Sequence, residues 1–195
     1  MKRCYAYDFD GTIYNGDSSI DFYFYTFFRR PYIIILWPIQ LLYVFLYFIG
    51  FISKTRMKEI IFSFLRLSTN KEKLIENFWN KNYKKIKPWY LEKKHSDDII
   101  ISASPEFLLE IPCKKLKVKD LIASEVDIKN GKFLSNNCYG PEKVRRYKKK
   151  YLKYNLLEMY TDSRSDKPMI DLAKKGYMVK KDKIYDFNDY IYKKK

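Results

Sequence analysis

The chain has 195 residues, of which 47% are hydrophobic, and a formal net charge of +16. That length suits one domain, or one domain with an insertion, and the apolar share is ample for a core. Cys4, Cys113 and Cys138 are odd in number and form no CxxC pair, which argues against a disulfide framework or a zinc site and for free thiols in a reducing cytosol. No cleavable signal is expected, because the apolar stretch starts late and Asp8 and Asp10 stand where a basic leader would. The positive charge attracts polyanions such as phosphorylated substrates, anionic lipid headgroups or nucleic acid.

In chain order, residues 3–9 read as a short strand that runs into "DFDGT" (8–12). Residues 20–52 are aromatic and aliphatic, with no charge between Pro31 and Ser53. Residues 54–94 turn Lys-rich, and Ile60, Ile61, Phe64, Leu65, Leu74, Ile75 and Phe78 recur at helical spacing. "DDIIISASPEF" (97–107) reads strand, loop, helix, with Ser104 as N-cap, Pro105 at the first helical position and Glu106 in the first turn. "LIASEVDIKNGKFL" (121–134) alternates around Asn130-Gly131 and predicts a hairpin. "YGPEKVRRYKKKYL" (139–152) starts a helix after Gly140. "LEMYTDSRSDKPMIDLA" (157–173) is again strand, polar loop, helix, and "GYMVKKD" (176–182) is a last strand. The final Lys193-Lys194-Lys195 is expected to fray.

Strands alternating with helices predict an α/β fold, a Rossmann-like parallel sheet with helices on both faces. Three strands end in polar residues: Asp8 and Asp10, Ser102, and Asp162. Ligands of open parallel sheets bind beyond the carboxyl ends of the strands, so these ends converge on one crevice. Residues 1–12 and 98–195 would form the core, and 13–97 an inserted helical cap.

Asp8 and Asp10 lie two apart on an extended chain, so both face one bound group. Two anions facing a phosphate call for a cation, and Asp162 completes an oxygen site of the kind Mg²⁺ takes. Asp8 is then a candidate nucleophile and Asp10 a candidate acid and base. Gly11 lets the chain turn sharply. Ser102 and nearby backbone N–H groups would donate to phosphoryl oxygens, with Lys143 adding positive charge. Asp166 would support the metal site.

"DFDGT", "IIISAS", the Lys of "GPEKV" and "TDSRSD" resemble, in order, the four motifs of the haloacid dehalogenase superfamily of phosphohydrolases. The resemblance implies a Rossmann-like core, Mg²⁺, Asp8 as nucleophile, Asp10 as acid and base, and Lys143 as charge stabiliser. It implies phosphate contacts from Gly11, Thr12, Ser102 and Ala103. Asp8, Asp10 and Asp162 would serve the metal, with Asp166 behind them. An insertion after the first motif is similar to the helical cap of the phosphoserine phosphatase branch. Within it, "SPEFL", "CYGPEKV" and "YTDSRSDKPM" look most like phosphatidylglycerophosphatase C and its relatives. Thr161 departs from the pattern, which places Gly there.

Asp17 and Arg56 sit where a cap could meet substrate. His95, the single histidine, is expected to be exposed ahead of a strand. The run Arg145, Arg146, Lys148, Lys149, Lys150 is expected to be a solvated helix face. With no recognition module beside it, nucleic acid is not an expected partner.

"PYIIILWPIQLLYVFLYFIGFI" (31–52) is long enough to cross a bilayer, which takes about 20 apolar residues. A single crossing would separate Asp8 from Ser102, Lys143 and Asp162, so the segment must return to the side it left. Two short helices broken near Pro38 are expected. They would be buried against helices 55–94, dip into one leaflet, or lie in the interface with Trp37 and tyrosines at headgroup level. The expected partners are a phosphorylated small molecule or lipid and an anionic membrane surface. The expected place is the cytoplasm, or the inner face of the cell membrane. The expected activity is Mg²⁺-dependent phosphomonoester hydrolysis, on a lipid phosphate or on a soluble one such as phosphoserine or a sugar phosphate. A non-catalytic membrane-surface protein is the reading of another class.

Overall fold

The computed structural model describes residues 2–192. The expectation for Lys193–Lys195 lies outside that range. Six strands form one sheet: β1 (Lys2–Tyr7), β2 (Asp98–Pro105), β3 (Asp120–Ser124), β4 (Tyr154–Thr161), β5 (Lys175–Lys180) and β6 (Lys183–Asp186). Their order is β3-β2-β1-β4-β5-β6. All neighbours are parallel except β5 and β6. The chain steps outward from β1 to β3, then returns to lay β4 on the other side of β1. That reversal puts a crevice at the carboxyl ends of β1 and β4.

Residues along each strand alternate between two apolar layers. Ala6, Ile99, Ile101, Met159 and Met178 face a layer closed by Tyr147 and Tyr151 of α7 (Pro141–Tyr151) and by Phe187 of α9 (Phe187–Tyr192). Tyr7, Ile100, Tyr160 and Val179 face the other. There Phe22 of α1 (Ser18–Arg29), Phe78 and Trp79 of α4 (Lys71–Asn82), Tyr90 of α5 (Pro88–Lys93) and Leu108 of α6 (Glu106–Leu116) close the layer. Registers Tyr7↔Tyr160 and Tyr160↔Tyr177 stack three tyrosine rings across the sheet, with centroids 4.8 and 4.7 Å apart. Trp79 Nε1 donates to the Leu108 carbonyl at 2.6 Å and ties the inserted helices to the sheet layer. All three cysteines are free, as expected, and all are buried.

The apolar stretch begins as a 3-10 segment, Pro31–Leu36, and continues as α2 (Trp37–Phe48). Pro38 falls in the first turn of α2, where no intrahelical N–H is needed. The expected break is thus a change of helix type, and the chain does not reverse there. Reversal comes after α2. Phe51 N donates to the Leu46 carbonyl and Gly50 N to that of Tyr47, with Gly50 at φ +81°. That is a Schellman ending, which a residue without Cβ accommodates. Then α3 (Lys54–Ile61) packs back on α2.

Burial of this stretch against helices 55–94 does not hold. Pro31–Phe48 has mean hydropathy 1.8 and is 11% buried. Only Ile33 and Gln40 in it are buried. Gln40 is one of the points that attach this half-exposed helix, together with Trp37 stacked on Phe27. It accepts from Tyr23 Oη at 2.5 Å and donates to the carbonyls of Ile60 and Ile61 at 3.3 and 3.1 Å.

Smaller corrections have local causes. The 121–134 hairpin shrinks to one bridge, Val126↔Phe133, because Asp120–Ser124 is taken up by β2. Its turn survives, with Gly131 at φ +76° pressed on Phe62, whose carbonyl a Cβ would approach to 2.5 Å. After β5 the chain makes a tight turn at Lys181, φ +56°, into β6 and α9. A Lys-Asp turn carries no sequence signal, so both elements were unexpected. His95 is exposed as expected and stacks on Tyr5. Arg146 leaves the solvated run: it donates to the carbonyls of Ala123 and Asn136, each at 2.7 Å.

Candidate active site

A cleft of about 480 Å³ opens at the carboxyl ends of β1, β2 and β4. Asp8, Asp10, Gly11, Asp17, Ser102, Ala103, Lys143, Asp162 and Asp166 all line it. These residues come from four separate stretches of the chain. Asp8 follows β1 directly, and its N–H donates to the Tyr160 carbonyl at 2.9 Å, which pins it beside β4. Lys143 rises from the first turn of α7 behind Gly140 and Pro141. Its side chain is 2% exposed, and its ammonium lies 3.0 Å from Asp8 Oδ1 and 2.8 Å from Asp166 Oδ2. Burial works against that charge, yet Asp8 and Asp166 outweigh it and hold the lysine above its ordinary pKa. Burial pushes the Asp8 carboxyl up, with Asp166 and Asp162 pushing the same way against the pull of Lys143.

Asp10 is turned differently. Its Oδ1 accepts from Ser18 N at 2.6 Å and its Oδ2 from Ser104 Oγ at 2.5 Å. Burial, helped by Asp17, raises it to about 6, and the two serines oppose the shift. This corrects the reading of Ser104. Pro105 occupies the N-cap position of α6 and Glu106 begins the helix, one residue later than expected. The Ser104 hydroxyl therefore holds Asp10 instead of capping. Ser102 is buried, and its hydroxyl accepts from Ser104 N at 3.1 Å.

Asp162 directly follows β4 and sits against Gly11, which has φ +70°. Its pKa is raised by burial, which Lys180 opposes. The departure at Thr161 introduces two hydrogen bonds. Thr161 is fully buried, donates to Asp166 Oδ2 at 2.7 Å and accepts from Ser163 N at 3.0 Å. A glycine there could do neither.

Two expected residues stand apart from the cleft. Thr12 is fully buried in the turn after Phe9, so its hydroxyl points into protein. Arg56 lies on the outer side of α3 and pairs with Glu59 at 3.1 Å. Lys54 and Lys58, one turn apart on α3, line the cleft in its place. Lys58 donates to the Ala103 carbonyl at 2.9 Å, and burial lowers it to about 8. Neither lysine was singled out, since nothing local separates them from the chain's many solvated lysines. Tyr139 also lines the cleft.

Among the described residues, no group of three or more His, Cys, Asp or Glu side chains stands ready to hold a metal. The cause is visible: Asp10 is committed to Ser18 and Ser104, and Asp166 to Lys143 and Thr161. Asp8 and Asp162 still line the cleft, and Asp166 Oδ1 is buried without a partner. These are hard oxygen donors, a set that fits Mg²⁺.

The fold and cleft define an α/β protein with its site at the switch point of a parallel sheet. Residues 6–171 match the haloacid dehalogenase-like hydrolase family, and the chain belongs to that family. Among solved structures it is similar to a protein of unknown function from Bordetella pertussis Tohama I, with TM-score 0.75, 15% identity and coverage of 90% of this chain and 89% of that one. It is similar to a phosphoserine phosphohydrolase-like protein from Francisella tularensis subsp. tularensis SCHU S4, with TM-score 0.56, 17% identity and coverage of 90% and 86%. A phospho-aspartyl intermediate analogue of phosphoserine phosphatase gives TM-score 0.53, 16% identity and coverage of 90% and 85%. No curated protein matches the chain.

Proposed function

We propose that this chain hydrolyses phosphomonoesters through a phosphorylated Asp8, and that its substrate is a lipid-borne phosphate such as phosphatidylglycerophosphate. The observation that carries the first part is the buried pairing of Asp8 with Lys143 beside a separately held Asp10. Asp8 attacks phosphorus and the bond to the leaving oxygen breaks, while Asp10 gives that oxygen a proton. Asp10 then takes a proton from water, the water oxygen attacks phosphorus, and phosphate leaves with Asp8 restored. A carboxyl near 6 holds a proton part of the time close to neutrality, which suits both roles. Lys143, Ser102 and backbone N–H groups around Ala103 meet the phosphoryl charge. Asp8 and Asp162 would hold Mg²⁺, with Asp166 behind them; the ion would screen the carboxylates from the phosphate and orient it.

Support for a lipid comes from the exposed apolar face beside the cleft and the charge of +16. On this reading residues 13–97 act as a cap whose α2 rests in the interface of an anionic membrane, at the inner face of the cell membrane. A soluble phosphomonoester is the second reading, favoured by fold similarity to phosphoserine phosphatase structures. The four assembled stretches argue against a non-catalytic membrane-surface protein.

A phosphate-release screen decides among these, with phosphatidylglycerophosphate, phosphoserine and sugar phosphates, in Mg²⁺ and in excess chelator. Turnover that requires Mg²⁺ and disappears in Asp8→Asn, with an unchanged melt, is expected. Full activity in chelator or in Asp8→Asn would refute the mechanism.

A further inference from the structure

Beside the cleft lies a second, half-open cavity of about 590 Å³, walled by α1, α2 and α3. Its volume falls within the range of small-molecule sites, about 300–1,000 Å³. The charged residues that line it are Asp17, Lys54 and Lys58, and all three also line the cleft. The two spaces therefore meet at a charged neck. Beyond the neck the walls are apolar side chains, among them Phe24, Leu41, Val44 and Met57. The amide of Gln40 is spent on Tyr23 and on the carbonyls of Ile60 and Ile61. One end of the combined space thus suits an anion, and the other suits hydrocarbon.

We propose that this cavity seats an apolar tail of the same molecule whose phosphoryl group enters the cleft, with Lys54 and Lys58 at the junction. The inference rests on the phosphoryl reading of the cleft and adds a residue-level site for the tail. Walls on three helices and continuity with the cleft distinguish it from mere attachment to a membrane. A tail laid in the pocket covers its apolar walls from water, and the headgroup of the same molecule then reaches the cleft through the neck. Lys58 closes one side of the neck through its bond to Ala103, the residue after Ser102. Tail occupancy and phosphoryl placement would then be read by the same side chain.

The test uses wild-type chain, no vesicles, and n-alkylphosphonates from methyl to dodecyl, each below its micelle concentration. Their C–P bond resists hydrolysis, so calorimetry reads binding alone. Affinity should rise by about threefold per methylene along the series. Val44→Trp and Met57→Trp, which fill the cavity from α2 and α3, should flatten that rise and leave methylphosphonate within about twofold of wild type. A bromine near the tail end should quench Trp37, a cavity residue, and Trp37→Phe should remove that quenching. This readout on the intact chain stands even where a filling variant fails to fold. A flat series, with methylphosphonate bound and phosphomonoesters hydrolysed, would overturn the tail site and leave the cleft reading standing. A rise that both folded filling variants leave unmoved would overturn it as well. If no phosphonate of any length binds, the tail site is rejected, and phosphate release alone judges the cleft.

Discussion

A Cβ placed on Gly11 would lie 2.2 Å from Asp162 Oδ2. The loop after β1 thus comes down directly on the carboxylate that follows β4, with Gly11 at φ +70°. Lys87 fixes the same loop from behind, donating to the carbonyls of Gly11 and Lys181 at 2.6 and 2.5 Å. Gly11→Ala must strain the backbone by about 1–2 kcal/mol and displace Asp162. We expect a lower melting temperature and a loss of phosphate release of about a hundredfold, since a misplacement of about 1 Å can cost that much. Near-normal turnover in Gly11→Ala would show that the closeness of Gly11 to Asp162 has no catalytic use.

Thr161 tests whether a departure from the family pattern is functional. Thr161→Val keeps the shape but strips Asp166 of a donor and Ser163 N of its acceptor. An unpaired buried polar group costs about 1–3 kcal/mol. Thr161→Ser keeps the hydroxyl. The valine variant should melt lower and turn over more slowly, and the serine variant should stay near wild type in both. Equal behaviour of the two would mean that the hydroxyl does not position Asp166.

Asp98 predicts a pH effect far from the cleft. It is fully buried at the start of β2, and its Oδ2 accepts from His95 N at 3.0 Å. Burial raises it to about 6 from an ordinary value of 3.8, while the His95 N–H and Tyr90 pull it down. Between those values the folded chain keeps a proton that the unfolded chain releases. Its contribution is therefore full below pH ~4 and lost as pH rises through ~6, by at most about 3 kcal/mol. Asp98→Asn keeps an acceptor for His95 N and cannot ionise. Denaturant melts at pH 5 and pH 8 should show a smaller stability loss in the variant. Parallel losses in the two proteins would count against a raised Asp98.

Leu42 and Phe45 are 49% and 59% exposed on α2, so glutamate at either should leave the melt unchanged. If α2 rests in a membrane, the same changes remove apolar area worth about 25 cal/mol per Å² and add repulsion from anionic headgroups. Wild type should float with anionic liposomes and loosen partly in high salt, because rim Lys and Arg add about 1 kcal/mol each. Leu42→Glu and Phe45→Glu should float less than a rim Lys→Ala variant. A wild-type chain that ignores liposomes at low salt would end the membrane reading and favour a soluble substrate.

The strands that lead into Asp8 and Asp162 and the strand that carries Ser102 were legible in the sequence, as was the helix that starts after Gly140, although β2 runs on past Ser102 to Pro105. Alternation, apolar runs and turn residues act over a few neighbours, so a linear reading captures them. The approximate meeting of those strand ends followed from the rule that open parallel sheets bind at their carboxyl edge. The direction of each side chain did not follow. Asp10 turns to Ser104, 94 residues away, and Lys58 reaches Ala103, 45 residues away. Those partners decided that Ser104 holds a carboxylate where capping was expected, and that Lys54 and Lys58 face the cleft while Arg56 does not. The composition of 31–52 announced an apolar helix but not its exposure, because burial depends on what packs against it. Only the tertiary structure could decide that the segment is held at a few points, Ile33 in the core, Tyr32 on the Leu67 carbonyl and Gln40 on Tyr23, Ile60 and Ile61, and that the space beneath α2 would open beside the carboxylates.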